Sequence, residues 1–233
     1  MKKLILASLL LAYSTVFMAQ TNLQLHYDFG KDRDYFTSTL ERFKPDANGS
    51  LFYFIDFNYS ANGPIEAYME IARELKFWDA PFSAHIEYNG GLHYQTASGV
   101  VPAFGFNINN AYLLGGTYSL NSQDFSKGIS LTASYKLIEK HATDPHNFQL
   151  TAVWFMHFFN RKLSFTGFAD FWREKKTYFP SGNNSAFIFL SEPQLWYNIN
   201  KTLSVGGEVE FGYNFGAIEG LRINPTLGIK CNL

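Results

Sequence analysis

The sequence predicts an all-β protein, a closed antiparallel β-barrel of about twelve strands that crosses a membrane. Residues 220–233 alternate between apolar and polar side chains as far as the C-terminus, which is the period of a strand with two unlike faces. Aromatic residues make up 18% of the chain and charged residues only 17%, yet the mean hydropathy is slightly polar. An apolar exterior around a polar interior accounts for both observations. Candidate connections also alternate between short and long, as they do in membrane barrels.

The last strand favours a closed barrel over an open sheet. One face carries alternate residues from Leu221 to Leu233, and the other carries those from Arg222 to Asn232. The final residues of a soluble domain usually fray, whereas a strand at the very end of the chain needs partners on both edges. A barrel supplies them because its last strand pairs with its first. The first strand, residues 23–29, shows the same alternation.

Ten further strands follow from the same alternation. They are predicted at residues 35–44, 51–59, 65–77, 82–89, within 104–119, and at 129–137, 148–157, 163–172, 186–198 and 203–214. Residues 65–77 also have high helical propensity, so a helix is the alternative there. Alternation outranks propensity and favours the strand, with Arg73 out of phase. The strand at 186–198 is the least regular because Pro193 interrupts it.

The connections between these strands fall into two series. Those after the second, fourth, eighth and tenth strands are tight, and the one after the sixth, residues 121–128, is looser. Those after the fifth, seventh and ninth strands include longer polar stretches at 91–103, 138–147 and 173–184. Short periplasmic turns and longer extracellular loops are the usual arrangement of outer-membrane barrels. An even number of strands then puts both termini in the periplasm.

The N-terminus has the three parts of a secretory signal peptide. Lys2 and Lys3 form the charged start, residues 4–12 the apolar core, and Ala19 precedes the predicted cleavage site. The apolar core is too short for a transmembrane helix, which needs roughly 20 residues. The single cysteine, Cys231, excludes an internal disulfide and a lipid-anchored precursor. We therefore expect residues 1–19 to be a signal peptide and residues 20–233 one barrel in the outer membrane of a double-membraned bacterium.

The polar faces of the strands predict the lining of the lumen. Its charged residues would be Glu41, Asp56, Glu70, Glu74, His85, Glu87, Asp170, Glu208, Glu210, Lys76, Lys136, Arg222 and Lys230. Its aromatic residues would be Phe52, Phe54, Tyr68, Phe155 and Trp172. Inward charges alone indicate no function, because an Arg or Lys facing lipid at mid-membrane costs roughly 2–4 kcal/mol. Aromatic rings beside carboxylates suggest more, since a nucleoside can stack on the rings and donate its ribose hydroxyls to the acids.

Parts of the N-terminal half resemble a family of small outer-membrane proteins related to the nucleoside-specific channel Tsx. The resemblance is carried by Leu23–Gly30, Leu40–Asp46, Glu70–Trp78 and His85–Gly91, without a tight motif. It implies a twelve-stranded barrel with a narrow channel that admits nucleosides through weak aromatic and polar sites. The chain departs from many such barrels by ending in Leu233 rather than an aromatic residue, which puts in doubt how the assembly machinery reads its last strand.

We therefore expect a passive, substrate-selective channel for nucleosides or similar small polar solutes. The alternative is a structural or surface-interaction barrel whose lumen is plugged by Phe52, Phe54, Tyr68 and Trp172. The expected partners are outer-membrane lipid, small polar solutes and the barrel assembly machinery, and the chain is expected to be a monomer without cofactor or metal. Removal of Lys2 and Lys3 leaves 17 of the 19 basic residues against 20 acidic ones. That balance excludes the basic footprint of a nucleic-acid-binding protein.

No enzyme activity is expected from the sequence. Ser83, His85 and Glu87 share one strand face, but each step of two residues spans about 7 Å, too far for direct proton transfer. His141, Asp144 and His146 lie in one predicted loop, where they form either a metal or protease site or an ordinary solvated loop.

Overall fold

The computed structural model describes residues 20–97, 99–141, 144–179, 181–216 and 218–233. The predicted signal peptide, residues 1–19, lies outside these ranges. The strands are β1 (Gln20–Asp28), β2 (Tyr35–Asp46), β3 (Gly49–Ser60), β4 (Gly63–Leu75), β5 (Phe82–Gln95), β6 (Phe104–Asn121), β7 (Lys127–Ile138), β8 (His146–Phe158), β9 (Leu163–Thr177), β10 (Asn184–Ser191), β11 (Gln194–Asn198), β12 (Leu203–Tyr213) and β13 (Leu221–Asn232). Among the described residues, none belongs to a helix long and apolar enough to cross a membrane.

The strands form one antiparallel sheet that closes on itself. Strands β1 to β9 pair in chain order, and β13 pairs with both β12 and β1. Across the closing seam Leu23 lies opposite Cys231, and Asp28 lies opposite Thr226. The predicted pairing of the last strand with the first is therefore confirmed, and the described sheet is a ring without an open edge.

Strands β10 and β11 lie end to end and together make one crossing of the wall. Both pair with β9 on one side and with β12 on the other. The break falls at Glu192 and Pro193, because proline has no backbone N–H to donate to a ladder. Pairing resumes at once, since the N–H of Glu192 donates to the carbonyl of Phe168 (3.1 Å) and that of Val209 to the carbonyl of Pro193 (3.0 Å). The thirteen strands thus make twelve crossings, as predicted.

The stretch with helical propensity is a strand. Residues 63–75 form β4, which pairs with β3 and β5, so the helix alternative is wrong. An ion pair explains why Arg73 is out of phase: its guanidinium donates two hydrogen bonds to Asp46 (2.6 and 2.9 Å), at the turn after β2. The Arg73 charge therefore lies at the rim of the wall, where the membrane penalty for a charge falls to about 0–1 kcal/mol.

The two faces of the wall differ as the alternation predicts. On β1, Gln24 and His26 are each 1% exposed, whereas Leu23 is 49% exposed. On β13, Asn224 is 3% exposed and Leu227 is 63% exposed. Large apolar side chains thus face outward and polar side chains face the lumen, which is the arrangement of a barrel that spans a membrane.

The strands extend further than the sequence pattern indicates. Strand β5 ends at Gln95, β6 begins at Phe104 and β9 ends at Thr177. The connections after β5 and β9 are therefore shorter than the predicted 91–103 and 173–184. Backbone pairing continues beyond the lipid-facing belt, but both faces of a strand meet water there, so the apolar alternation fades and the sequence pattern stops early.

Candidate functional site: the barrel lumen

Carboxylates near the middle of their strands meet in the lumen. We call this group the acidic zone, and its members are Asp56, Glu70, Glu87, Asp170, Glu192 and Glu208. Glu70 lies within electrostatic range of Glu87 and Asp170, and Glu192 lies within range of Glu208, Asp56 and Glu70. These electrostatic interactions act between strands on different sides of the ring. All six side chains keep partial contact with solvent, so water reaches the lumen at this height.

Most of the acidic zone is held by neutral hydrogen-bond donors. The pairs are Thr39 to Asp56 (2.5 Å), Tyr68 to Glu70 (2.8 Å), Thr151 to Asp170 (2.5 Å), Gln194 to Glu208 (2.9 Å) and Asn89 to Glu87 (3.1 Å). Glu87 also contacts His85, whose Nε2 lies 3.0 Å from the carboxylate. Among the described residues the Glu192 carboxylate has no hydrogen-bond partner.

The two lumen lysines lie on tryptophan rings. The Lys136 ammonium is 4.5 Å from the centre of the Trp172 ring, and the Lys230 ammonium is 4.2 Å from that of Trp196. Lys136 also donates to Gln149 (2.7 Å). Attraction between an ammonium and the face of an indole ring is worth about 0.5–2 kcal/mol. This lumen therefore already accommodates positive charge on aromatic faces.

An aromatic ladder follows β3 and β4 beside the acids. The ring centres of Phe52 and Phe54 are 6.1 Å apart, as are those of Phe54 and Tyr68. The hydroxyl of Tyr68 donates to Glu70, so the ladder ends at a carboxylate of the acidic zone. The arrangement offers apolar ring faces and hydrogen-bond acceptors side by side.

Glu74 organises a separate cluster below the acidic zone, nearer the turn after β4. Its carboxylate accepts hydrogen bonds from Thr117 (2.9 Å) and from Ser83, and it lies 2.6 Å from Nδ1 of His85. Ser83 and His85 thus both contact Glu74 and are not hydrogen-bonded to each other. The serine is therefore hydrogen-bonded to a carboxylate, and the direct serine–histidine pair of a hydrolase is not formed here. The expectation of no catalysis stays a prediction.

The opposite mouth is held by an arginine of the β1–β2 loop. Arg33 pairs with Asp28 (2.9 Å) and Glu210 (2.8 Å), and Asn224 of β13 donates to Glu210 (2.7 Å). Burial acts to lower the pKa of the Arg33 guanidinium, but the two carboxylates outweigh burial and raise it. We call these four residues the seam clamp, because they bridge β12, β13 and β1.

Apolar side chains also occupy part of the interior. Leu113 and Ile138 are 3% and 4% exposed, Ile188 is fully buried, and Trp172 is 6% exposed and packs edge-on against Phe215 (6.0 Å between ring centres). They lie on β6, β7, β9 and β10, towards the extracellular loops. One wall of the outer half of the lumen is therefore packed and apolar.

Most predicted lumen residues lie on inward strand faces. These are Phe52, Phe54, Asp56, Tyr68, Glu70, Glu74, His85, Glu87, Asp170, Trp172, Glu208 and Glu210. Lys76 lies one residue beyond the end of β4 at Leu75, and its N–H donates to the carbonyl of Asn48 (2.8 Å). Its place in the lumen lining stays a prediction. Arg222 lies at the rim, 3.8 Å from loop residue Asp32. Binding of a solute by any of these residues stays a prediction.

The predicted lining lacks several interior residues, among them Glu192, Trp196 and Arg33. Glu192 and Trp196 belong to the interrupted crossing, where counting in steps of two through Pro193 predicts both to face inward. Arg33 lies in a loop, and no local pattern indicates that its side chain reaches the lumen.

His141, Asp144 and His146 each contact another protein group at or beside the β7–β8 loop. Asp144 pairs with Arg173 (2.6 Å), and that hydrogen bond holds the pKa of its carboxyl below the usual value. Nε2 of His141 contacts the carbonyl of Lys175 (3.0 Å), and His146 contacts the hydroxyl of Tyr135. Within the described ranges no group of three or more His, Cys, Asp or Glu side chains is arranged to hold a metal ion.

Comparison with protein families gives one match, which begins just before β1 and extends to Leu233. The family model described as Domain of unknown function (DUF5020) matches residues 19–233. The chain belongs to this family. Comparison with curated proteins gave no match.

Two solved structures share the architecture. The NanC porin superposes with a TM-score of 0.59 at 9% identity, over 91% of this chain and 100% of that chain. The KdgM porin in complex with disordered oligogalacturonate superposes with a TM-score of 0.50 at 12% identity, over 92% and 99%. At such low identities the likeness establishes the fold of outer-membrane porins. It does not bear on the nucleoside-channel resemblance, which stays a prediction.

Proposed function

We propose that the protein is a monomeric outer-membrane barrel that acts as a passive channel for small polar solutes. The observation that carries this proposal is the acidic zone, whose six carboxylates keep contact with water deep inside a closed ring. Channels need polar groups that replace solvent along the path, and sites weak enough to release the solute. The shared fold with porins supports the same function.

Within this class of solutes we propose nucleosides. The ladder of Phe52, Phe54 and Tyr68 offers stacking faces, and each stacked base is worth about 1–3 kcal/mol. Asp56 and Glu70 are placed to accept hydrogen bonds from ribose hydroxyls. The negative charge of the acidic zone disfavours nucleotides and acidic sugars, and in this respect the lumen suits a different cargo from the oligogalacturonate bound to KdgM.

The test is conductance in planar bilayers, with adenosine or thymidine added. We expect the pore to conduct and nucleoside to reduce the current reversibly. Phe54→Leu removes an inward ring and is expected to weaken this block by about 1 kcal/mol or more. The matched control is Phe57→Leu on the same strand, because Phe57 faces outward and is 37% exposed.

The second candidate function is a plugged barrel without transport. It is favoured by the packed wall of Leu113, Ile138, Trp172 and Ile188 in the outer half of the lumen. Absence of conductance, together with no nucleoside uptake by liposomes that contain the folded protein, would reject the channel in favour of this structural role. Equal block by sugars of similar size would leave a channel but reject nucleoside preference.

A further inference from the structure

Glu192 stands out in the acidic zone because its carboxylate has no partner. The side chain of Glu192 is half-buried at the break between β10 and β11. It faces the lumen, within electrostatic range of Glu208, Glu210, Asp56 and Glu70. Among the described residues no hydrogen-bond donor or cation contacts it. A carboxylate that faces other carboxylates without a protein counter-charge takes up positive charge from the solution, either as a proton or as a cation in the lumen.

Negative charges also outnumber positive charges around Glu192. Asp56, Glu70, Asp170 and Glu208 also lack a basic side chain within 4.0 Å in the described part of the chain. These five carboxylates face two ammonium groups, those of Lys136 and Lys230. The potential at this height is therefore negative, and low-dielectric walls focus such a field along a narrow lumen.

The positions of the two lysines indicate the chemistry of the cation. Both ammonium groups lie over tryptophan rings, at 4.5 and 4.2 Å, and both are within electrostatic range of lumen acids. The lumen therefore combines aromatic faces and carboxylates around primary ammonium groups. A solute with an ammonium group meets the same two kinds of contact at Glu70 and at the ring of Tyr68, whose hydroxyl donates to that carboxylate.

We propose that the acidic zone is a charge filter that passes cations, including small organic ammonium ions, and excludes anions, with Glu192 and Glu208 as its main determinants. This inference rests on the proposed channel function and names its charge class. Rings of Asp and Glu side chains produce cation selectivity in other pores by the same electrostatics.

The test measures permeability ratios in planar bilayers at neutral pH. A KCl gradient gives the K⁺/Cl⁻ ratio, and ethylammonium chloride and potassium acetate compare an organic cation with an anion of similar size. Wild-type protein is expected to pass K⁺ and ethylammonium in clear preference to chloride and acetate. Glu192→Gln with Glu208→Gln is expected to lower the K⁺/Cl⁻ ratio by about twofold for each removed charge.

The control is Asp79→Asn, which removes a negative charge from the exposed turn after β4 and is expected to leave the ratio unchanged. A wild-type K⁺/Cl⁻ permeability ratio of one or below would contradict the charge filter but not the channel. This result does not depend on whether the double variant folds. A ratio unchanged in the folded double variant also overturns the filter. Absence of any conductance overturns both proposals.

Discussion

Arg33 connects the first strand to the last two through the seam clamp. Its guanidinium is 24% exposed and pairs with Asp28 and Glu210, which are 4% and 12% exposed. Removal of the guanidinium leaves two carboxylates nearly buried without their cation. We expect Arg33→Gln to lower the free energy of unfolding by about 1–3 kcal/mol, measured by urea titration of protein folded in lipid.

The control for this prediction is Arg222→Gln. Arg222 lies 3.8 Å from Asp32, which is 75% exposed, and exposed pairs contribute about 0–1 kcal/mol. Equal effects of the two substitutions would show that the seam clamp contributes no more than a surface ion pair.

Asp124 gives a pH-dependent prediction at the β6–β7 turn. The Ser122 hydroxyl and the Ser126 N–H donate to its carboxylate (2.7 and 3.1 Å) and lower its pKa from 3.8 to about 2. Because the pKa is lowered in the folded state, the ionised carboxylate stabilises the turn fully above pH 3.8, and this contribution is lost as the pH falls through about 2.

Carbon-13 NMR of the Asp124 carboxyl measures this titration. Its midpoint is expected near 2 in the wild type, and Ser122→Ala is expected to move it towards 3.8. A wild-type midpoint already at 3.8 would contradict the hydrogen-bonded turn.

At the scale of the element, the break between β10 and β11 depends on Gly167 of β9. A Cβ at this position would lie 2.6 Å from the carbonyl oxygen of Glu192, 2.8 Å from the Trp154 ring and 2.9 Å from Cα of Pro193. Gly167→Ala is therefore expected to destabilise the barrel by about 1–3 kcal/mol through overpacking, measured by the same urea titration. Gly116→Ala is the control, since its Cβ would meet only the carbonyl oxygen of Ser83, at 3.6 Å. Similar losses at both sites would mean that the break tolerates an extra methyl group.

The elements could be predicted wherever one face meets lipid and the other meets water. Residues 65–77 illustrate this, because their alternation correctly outweighed their helical propensity and only Arg73 broke the pattern. The alternation weakens at strand ends, where both faces meet water. The pattern therefore predicts connections at 91–103 and 173–184, whereas β5 continues to Gln95 and β9 to Thr177. The alternation is also less regular at Pro193, where the missing N–H divides one crossing of the wall into two strands.

At the scale of the whole molecule, alternation predicts which way a residue faces but not which residues meet. Glu70 and Glu192 are more than a hundred positions apart in sequence, and their proximity depends on the stagger of every strand pair between them. The inward direction of Glu70 and Glu208 could therefore be predicted, whereas their assembly into one acidic zone could not. The ion pair between Arg33 and Glu210 could not be predicted either, because it also depends on how distant strands are aligned.

Closure of the ring is the claim on which the lumen and its chemistry depend, and the native Cys231 allows a direct test. Leu23 lies opposite Cys231 on the outer face of the seam. The N–H of Leu233 donates to the carbonyl of Thr21, and that of Phe29 to the carbonyl of Pro225 (both 2.9 Å). Because hydrogen-bonded and non-bonded pairs alternate residue by residue, Leu23 and Cys231 have the same parity as these two pairs and form a hydrogen-bonded pair. The Cα atoms of such a pair are about 5.5 Å apart, which is within the range that a disulfide spans.

The decisive measurement is mass spectrometry of the oxidised Leu23→Cys variant after assembly in lipid. We predict an intramolecular disulfide that joins the peptides containing positions 23 and 231, in high yield. Leu25→Cys, two residues along the same face and opposite Ile229, is predicted to give much less. Free thiols in a folded Leu23→Cys protein, or disulfides only between separate molecules, would contradict the closed ring.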